Sequence, residues 1–234
     1  MEKISEIRKL SIWIFILPIT VLNLCLFISV NYDLFENTIF VVDQIGRTGF
    51  TIPYIDGSVS ISRTARTYPA YLLFKPGMII TAIFLIKYWY ANNALIKKIN
   101  NEPVKNKRFL IFGVLSAIFL IAHSIFLGIN FEYDLYNFFR RFVLLGFIIF
   151  EIAAQALLVI CLFKIKNKIS EIINNKVLIL KIILVSLLVI VALISLPFLT
   201  SSGYTHFKHA LEWNYFVGIV FFYLLTFLFW KKTP

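Results

Sequence analysis

Six stretches of about 20 apolar residues, each with few charges or none, dominate the chain. They run roughly Leu10–Val30, Tyr71–Ala91, Phe109–Gly128, Phe142–Phe163, Val177–Leu199 and Trp213–Trp230. An α-helix of that length crosses the hydrocarbon core of a bilayer. Lipid offers no water to unpaired backbone groups, so a helix is the form such a stretch takes there. Composition agrees: 60% of the 234 residues are hydrophobic, 15% are charged and mean hydropathy is +0.85, whereas about a quarter of a soluble domain is charged. The sequence predicts an all-α integral-membrane bundle of six helices, a single domain over residues 1–234. The first stretch is interrupted by Pro18 and Asn23 and followed by Asn31, Tyr32 and Asp33. No small-residue cleavage site follows it, so a retained span is expected rather than a cleaved leader.

Orientation follows from the basic residues. One side collects Lys3, Arg8, Lys9, Lys97, Lys98, Lys105, Lys107, Arg108, Lys164, Lys166, Lys168, Lys176, Lys231 and Lys232. Lys87 and Lys181, assigned to adjoining span ends, bring it to sixteen of the 23 Lys and Arg. The other side holds Arg47, Arg63, Arg66, Lys75, Arg140, Arg141 and Lys208. The positive-inside rule then predicts both termini in the cytoplasm. A formal net charge of +11 would suggest nucleic acid in a soluble protein. Here topology and contact with anionic lipid account for it, and no basic module outside the membrane exists to bind nucleic acid. The two cysteines, Cys25 and Cys161, both fall in apolar runs and make neither a disulfide framework nor a zinc site.

Polar residues gather on the less basic side. The connection from about Asn31 to Ala70 is long, carries the turn signals Gly46, Gly49, Pro53, Gly57 and Pro69, and contains the apolar stretches Thr38–Val42 and Phe50–Ile55. A loop of that length is often functional. It is expected to fold back over the mouth of the bundle, with a short hairpin. Its segment Pro53–Ser62 is expected against the ends of the third, fourth and sixth spans, because Ile52, Tyr54, Ile55, Val59 and Ile61 are too apolar to sit in water. Asp56 and the serines would then face His123, His206, His209 and Glu212. The spacing of His206, His209 and Glu212 at i, i+3 and i+6 resembles metal ligands on one helix face. It matches no strong zinc signature, so no metal or other cofactor is expected. Asp56, His206, His209 and Glu212 are the candidate acid–base residues. Arg63, Arg66, Arg140 and Arg141, with Lys75 at the start of the second span, are expected to ring the opening. Guanidinium groups bind phosphate bidentately.

Glu151 lies about ten residues into the fourth span, with Gln155 four residues on and on the same face. A carboxyl at that depth costs a few kcal/mol even on lenient scales, so it is expected to face other helices or a polar cavity. Ala153, Ala154 and Ala156 would let a neighbouring helix approach closely. The sequence holds no Gly-x-Ser-x-Gly elbow, no Walker loop and no Gly-x-Gly-x-x-Gly.

Four stretches together resemble one family. They are Phe50 to Gly57 (FTIPYIDG), Leu73 to Met78 (LFKPGM), the region from Asn130 through Gln155, and Leu211-Glu212-Trp213 followed by Phe222 to Phe227 (FYLLTF). The chain is similar over nearly its whole length to the DRAM/FRAG/SFK family of six-span proteins. That family includes the damage-regulated autophagy modulators and a module that remodels GPI-anchor lipids. Pro53, Tyr54, Ile55, Glu212 and Trp213 are the most specific pieces of the likeness. Asp56 stands where the family usually has Ser or Thr. The resemblance implies lipid-related work. It leads us to expect a protein that binds headgroups, anionic phospholipid among them, at its outer face and affects lipid organisation. The two alternatives are an integral-membrane lipid-remodelling enzyme and a proton-coupled small-molecule transporter built on Glu151. The expected location is the plasma membrane of a bacterium or an endomembrane of a eukaryote.

Overall fold

A computed structural model describes residues 2–36, 38–40, 51–100, 107–129, 134–201 and 203–231. Asp43, Gly46, Arg47, Gly49, Phe50, Asn130 and Glu132, and the side chain of Arg141, lie outside what is described. Among the described residues the structure is helical, without strands. The long helices are α1 (Glu2–Val30), α4 (Ala70–Asn100), α5 (Arg108–Phe126), α6 (Asp134–Lys164), α8 (Asn175–Thr200) and α9 (Thr205–Phe229). Each is long and apolar enough to cross a membrane, and the protein is a multi-span membrane protein. These helices run past the apolar stretches at most ends. Once begun, a helix keeps its backbone groups paired as it enters the polar interface.

Three short helices connect the long ones: α2 (Pro53–Asp56), α3 (Ile61–Arg66) and α7 (Lys166–Ile169). The expected hairpin is absent from the described part of the first connection, where Pro53 to Asp56 form a helical turn instead. Pro53 at the first helical position has its φ already set for a helix. Gly57 in the left-handed conformation (φ 58°) then ends the turn. Ser60 caps α3, its side chain accepting from the Arg63 N–H at 3.1 Å.

The spans close a ring in chain order: α1 packs on α4, α4 on α5, α5 on α6, α6 on α8, α8 on α9 and α9 back on α1. Helix α8 is the most peripheral. Ile179, Leu180, Ile183, Leu187, Ile190, Leu193 and Ile194 along it are exposed, as suits a surface solvated by lipid. The start of α1 and the end of α9 lie at the same end of the bundle. Arg8 donates to the Trp230 carbonyl, and the Asn174 N–H bonds the Phe229 carbonyl at 2.8 Å. Tyr88, Trp89, Phe109, Phe222, Tyr223, Phe229 and Trp230, all fully buried, fill the half of the ring towards that Lys-rich end. Gly113 permits this packing, since a Cβ there would lie 2.3 Å from the Trp89 ring. The opposite end is capped by α2 and α3.

Candidate functional site

Under the cap, the ring encloses a cavity of about 70 Å³. Its walls come from α1, α4, α5, α6 and α9, and Ile61 of α3 covers it. Most of the lining is aliphatic or aromatic. The polar exceptions are Glu212 and His123 near the cap, Thr81, and Glu151 with Tyr223 at the deep end. Glu212 and Tyr223 are eleven residues apart on α9, about 16 Å along the axis at 1.5 Å per residue.

The cap is held from α9. The His206 and His209 Nδ1 atoms both meet the Gly57 carbonyl, at 3.2 and 3.0 Å. Trp213 Nε1–H donates to the Val59 carbonyl at 2.9 Å, and Asn214 donates to the Tyr54 carbonyl at 2.8 Å. The Ser62 N–H and hydroxyl both donate to Glu212 Oε1, at 3.4 and 3.2 Å. The Tyr54 ring stands edge-on to Trp213 at 4.9 Å. Its hydroxyl reaches Asn23 of α1 at 3.3 Å, and partial burial raises the Tyr54 pKa. The two most specific motif pieces, Pro53-Tyr54-Ile55 and Glu212-Trp213, therefore meet face to face.

Several placements differ from expectation. The cap rests on α9, α1 and α4, that is on the sixth, first and second spans. Asp56 turns back on its own loop and accepts from the Ser58 N–H at 2.7 Å, the local bond that Asp commonly makes after a turn. Ser62, one of the serines expected to face this end, does reach Glu212. His206 and His209 hold the Gly57 carbonyl. His123 is apart from them, 94% buried in the cavity wall and edge-on to Phe74 at 6.3 Å. No group of three metal-ligating side chains gathers among the described residues.

Arg63 and Arg66 lie on α3, with the Arg66 backbone beside Gly128 just past α5, and Arg140 lies near the start of α6 at the same end. Partial burial, then the charges of Arg140 and Arg63, lower the Arg66 pKa. Arg140 lies over the Tyr136 ring at 5.8 Å. Lys75 donates to the Ile125 carbonyl at 3.3 Å, tying α4 to the end of α5. Ile55 is exposed and Pro53 buried.

Glu151 is fully buried. It accepts from Ser116 of α5 at 2.5 Å, from Gln155 at 3.1 Å and from the Tyr223 hydroxyl of α9. Gln155 donates also to the Ile219 carbonyl at 3.2 Å. A second charged residue is buried in the bundle. Lys181, assigned from the sequence to a span end, is fully buried in α8. It donates to Thr226 at 2.7 Å and lies over the Phe222 ring at 4.0 Å. The available signal was its run of apolar neighbours on both sides, from Val177 to Val185.

Comparison with family models, with curated proteins and with solved structures finds no match to this chain.

Proposed function

We propose that this is a DRAM-like membrane protein that binds anionic lipid headgroups at its capped end and thereby affects lipid organisation. The observation that carries the reading is the placement of Arg63 and Arg66 on α3 of the cap, with the Arg66 backbone packed beside Gly128 just past α5, at the same end as Arg140 near the start of α6. Among the described residues no carboxylate lies within ion-pair distance of the three. Like charges gathered at one end in this way favour a multivalent anion, and guanidinium groups suit phosphate. Lys75 lies at the same end. The contact of Tyr54 with Trp213 supports the family likeness, because it joins the two segments that carry it. The capped end is the outer face, as the basic-residue distribution implies.

Native mass spectrometry of the detergent-purified protein tests the reading. Arg66→Gln with Arg140→Gln should strip retained anionic phospholipid, while Lys97→Gln with Lys98→Gln at the Lys-rich end should leave most of it. Equal loss from both pairs would mean that general charge, and not a site, holds the lipid.

A further inference from the structure

The axial cavity lies apart from the arginine rim and has a chemistry of its own. Glu151 is buried in a membrane bundle, and its three partners, Ser116, Gln155 and Tyr223, are all neutral. The ion pair between described residues is Lys3–Glu6, at the far end of α1. A carboxylate in such a place requires a compensating positive charge. Among the described residues no cationic side chain lies within ion-pair distance of Glu151, and the buried amine of Lys181 is bonded to Thr226 instead, which leaves a proton or a bound cation. Open space adjoins it. The cavity measures about 70 Å³, and one water needs about 10–15 Å³, so it holds roughly five to seven non-hydrogen atoms.

The lining decides what kind of cation fits. No Lys or Arg faces the space, whereas Phe74, Phe147, Phe216 and Tyr223 do, and aromatic faces attract ammonium groups. A bare metal ion would find few oxygen ligands there. Polar acceptors exist at both depths: Glu151 below and Glu212 above. His123, 6% exposed, lines the same space with its Nδ1 unpartnered among the described residues. Pro18 lacks an N–H, so the Ile14 carbonyl loses its helical partner, and both residues line the cavity. The pattern is an apolar, partly aromatic slot with a carboxylate at each depth.

We propose that the axial cavity binds a small primary ammonium group on a short carbon body, with Glu151 as its counter-ion and the aromatic wall of Phe147, Phe216 and Tyr223 beside it. A free alkylamine and the ethanolamine headgroup of a phospholipid share this chemistry.

Thermal unfolding of the detergent-purified full chain, titrated with n-butylammonium chloride, tests it. Butan-1-ol and sodium chloride serve as controls. A parallel arm compares lysophosphatidylethanolamine with lysophosphatidylglycerol. A saturable rise in melting temperature with butylammonium, absent with the alcohol and the salt, assigns a free amine. A rise with the ethanolamine lipid alone assigns the headgroup. In either case Glu151→Gln should weaken binding by at least on the order of a hundredfold, as loss of one partner of a buried pair does. Leu120→Phe, which fills the cavity without touching a charge, should abolish the response and decides the matter if the Gln variant does not fold. A response equal to that of the amine-free controls, no response to either amine, or full retention in both variants overturns the proposal. The arginine rim is intact in both variants, so failure here leaves the headgroup reading to its own test.

Discussion

The Glu212 carboxylate on the second turn of α9 accepts both the N–H and the hydroxyl of Ser62 on the first turn of α3. The next residue, Trp213, donates to Val59 on the other side of the same short loop. Two consecutive side chains of α9 thus grip the cap by opposite edges. The Glu-Trp pair in the sequence is the clamp that holds a connecting segment over the cavity.

Gly57 should be the most sensitive position of that cap. A Cβ there would lie 1.7 Å from the His206 carbonyl oxygen, in a residue whose φ is already +58°. Gly203 has φ +85° but nothing within 4 Å, so Gly203→Ala meets only the left-handed cost of about 1–2 kcal/mol. Hydrogen exchange across residues 53–66 should accelerate strongly in Gly57→Ala and stay near wild type in Gly203→Ala. Similar exchange in both variants would show that the close approach to α9 does not hold the cap.

At Glu151 the two obvious substitutions should separate. Ser116 keeps the Gly113 carbonyl and Gln155 keeps the Ile219 carbonyl if the carboxyl is lost. The Tyr223 hydroxyl has Glu151 as its acceptor and would be stranded. Glu151→Leu should therefore be less stable than Glu151→Gln by about 1–3 kcal/mol, the cost of one buried unsatisfied group. Melting temperatures of the two variants in one detergent check this, and a Leu variant as stable as the Gln variant contradicts it.

Lys181 gives the opposite expectation. It is fully buried and bonds Thr226, with no carboxylate within ion-pair distance among the described residues. Thr226 also donates to the Phe222 carbonyl at 2.9 Å and so keeps a partner without the lysine. Replacing an unpaired buried amine by an apolar group of similar length is neutral or stabilising. Lys181→Met should hold or raise the melting temperature. A large fall would mean that the amine has a structural partner beyond Thr226.

The topology is open to direct labelling. Glu36 follows α1 at the capped end, and Asn175 begins α8 at the Lys-rich end. Single cysteines at these positions should react with an impermeant thiol reagent from opposite sides of the membrane, Glu36→Cys from outside. Labelling of both from one side would remove the six-span arrangement.

How much of this was legible in the chain differs from element to element. The spans were, because hydrocarbon imposes one length and one backbone form on any apolar stretch that crosses it. That Glu151 is an intramembrane polar residue was legible for the same reason: its charge stands alone among apolar neighbours. Lys181 was misjudged although its surroundings are just as apolar. Its distance from the helix start allowed it to snorkel, and only the packing of Thr226, Phe222 and Phe229 around it shows that it does not. The loop chemistry was the least legible part. Asp56 and Ser62 are both short polar residues in one segment. Which of them reaches Glu212 depends on the left-handed turn at Gly57 and on where α9 stands beneath it. The sequence by itself determined the helical spans, the charge asymmetry between the two ends and the presence of a carboxyl in the membrane. The tertiary structure alone decided the ring order, the cavity and the meeting of Tyr54 with Trp213. Those depend on contacts between residues far apart in the chain, which no local periodicity encodes.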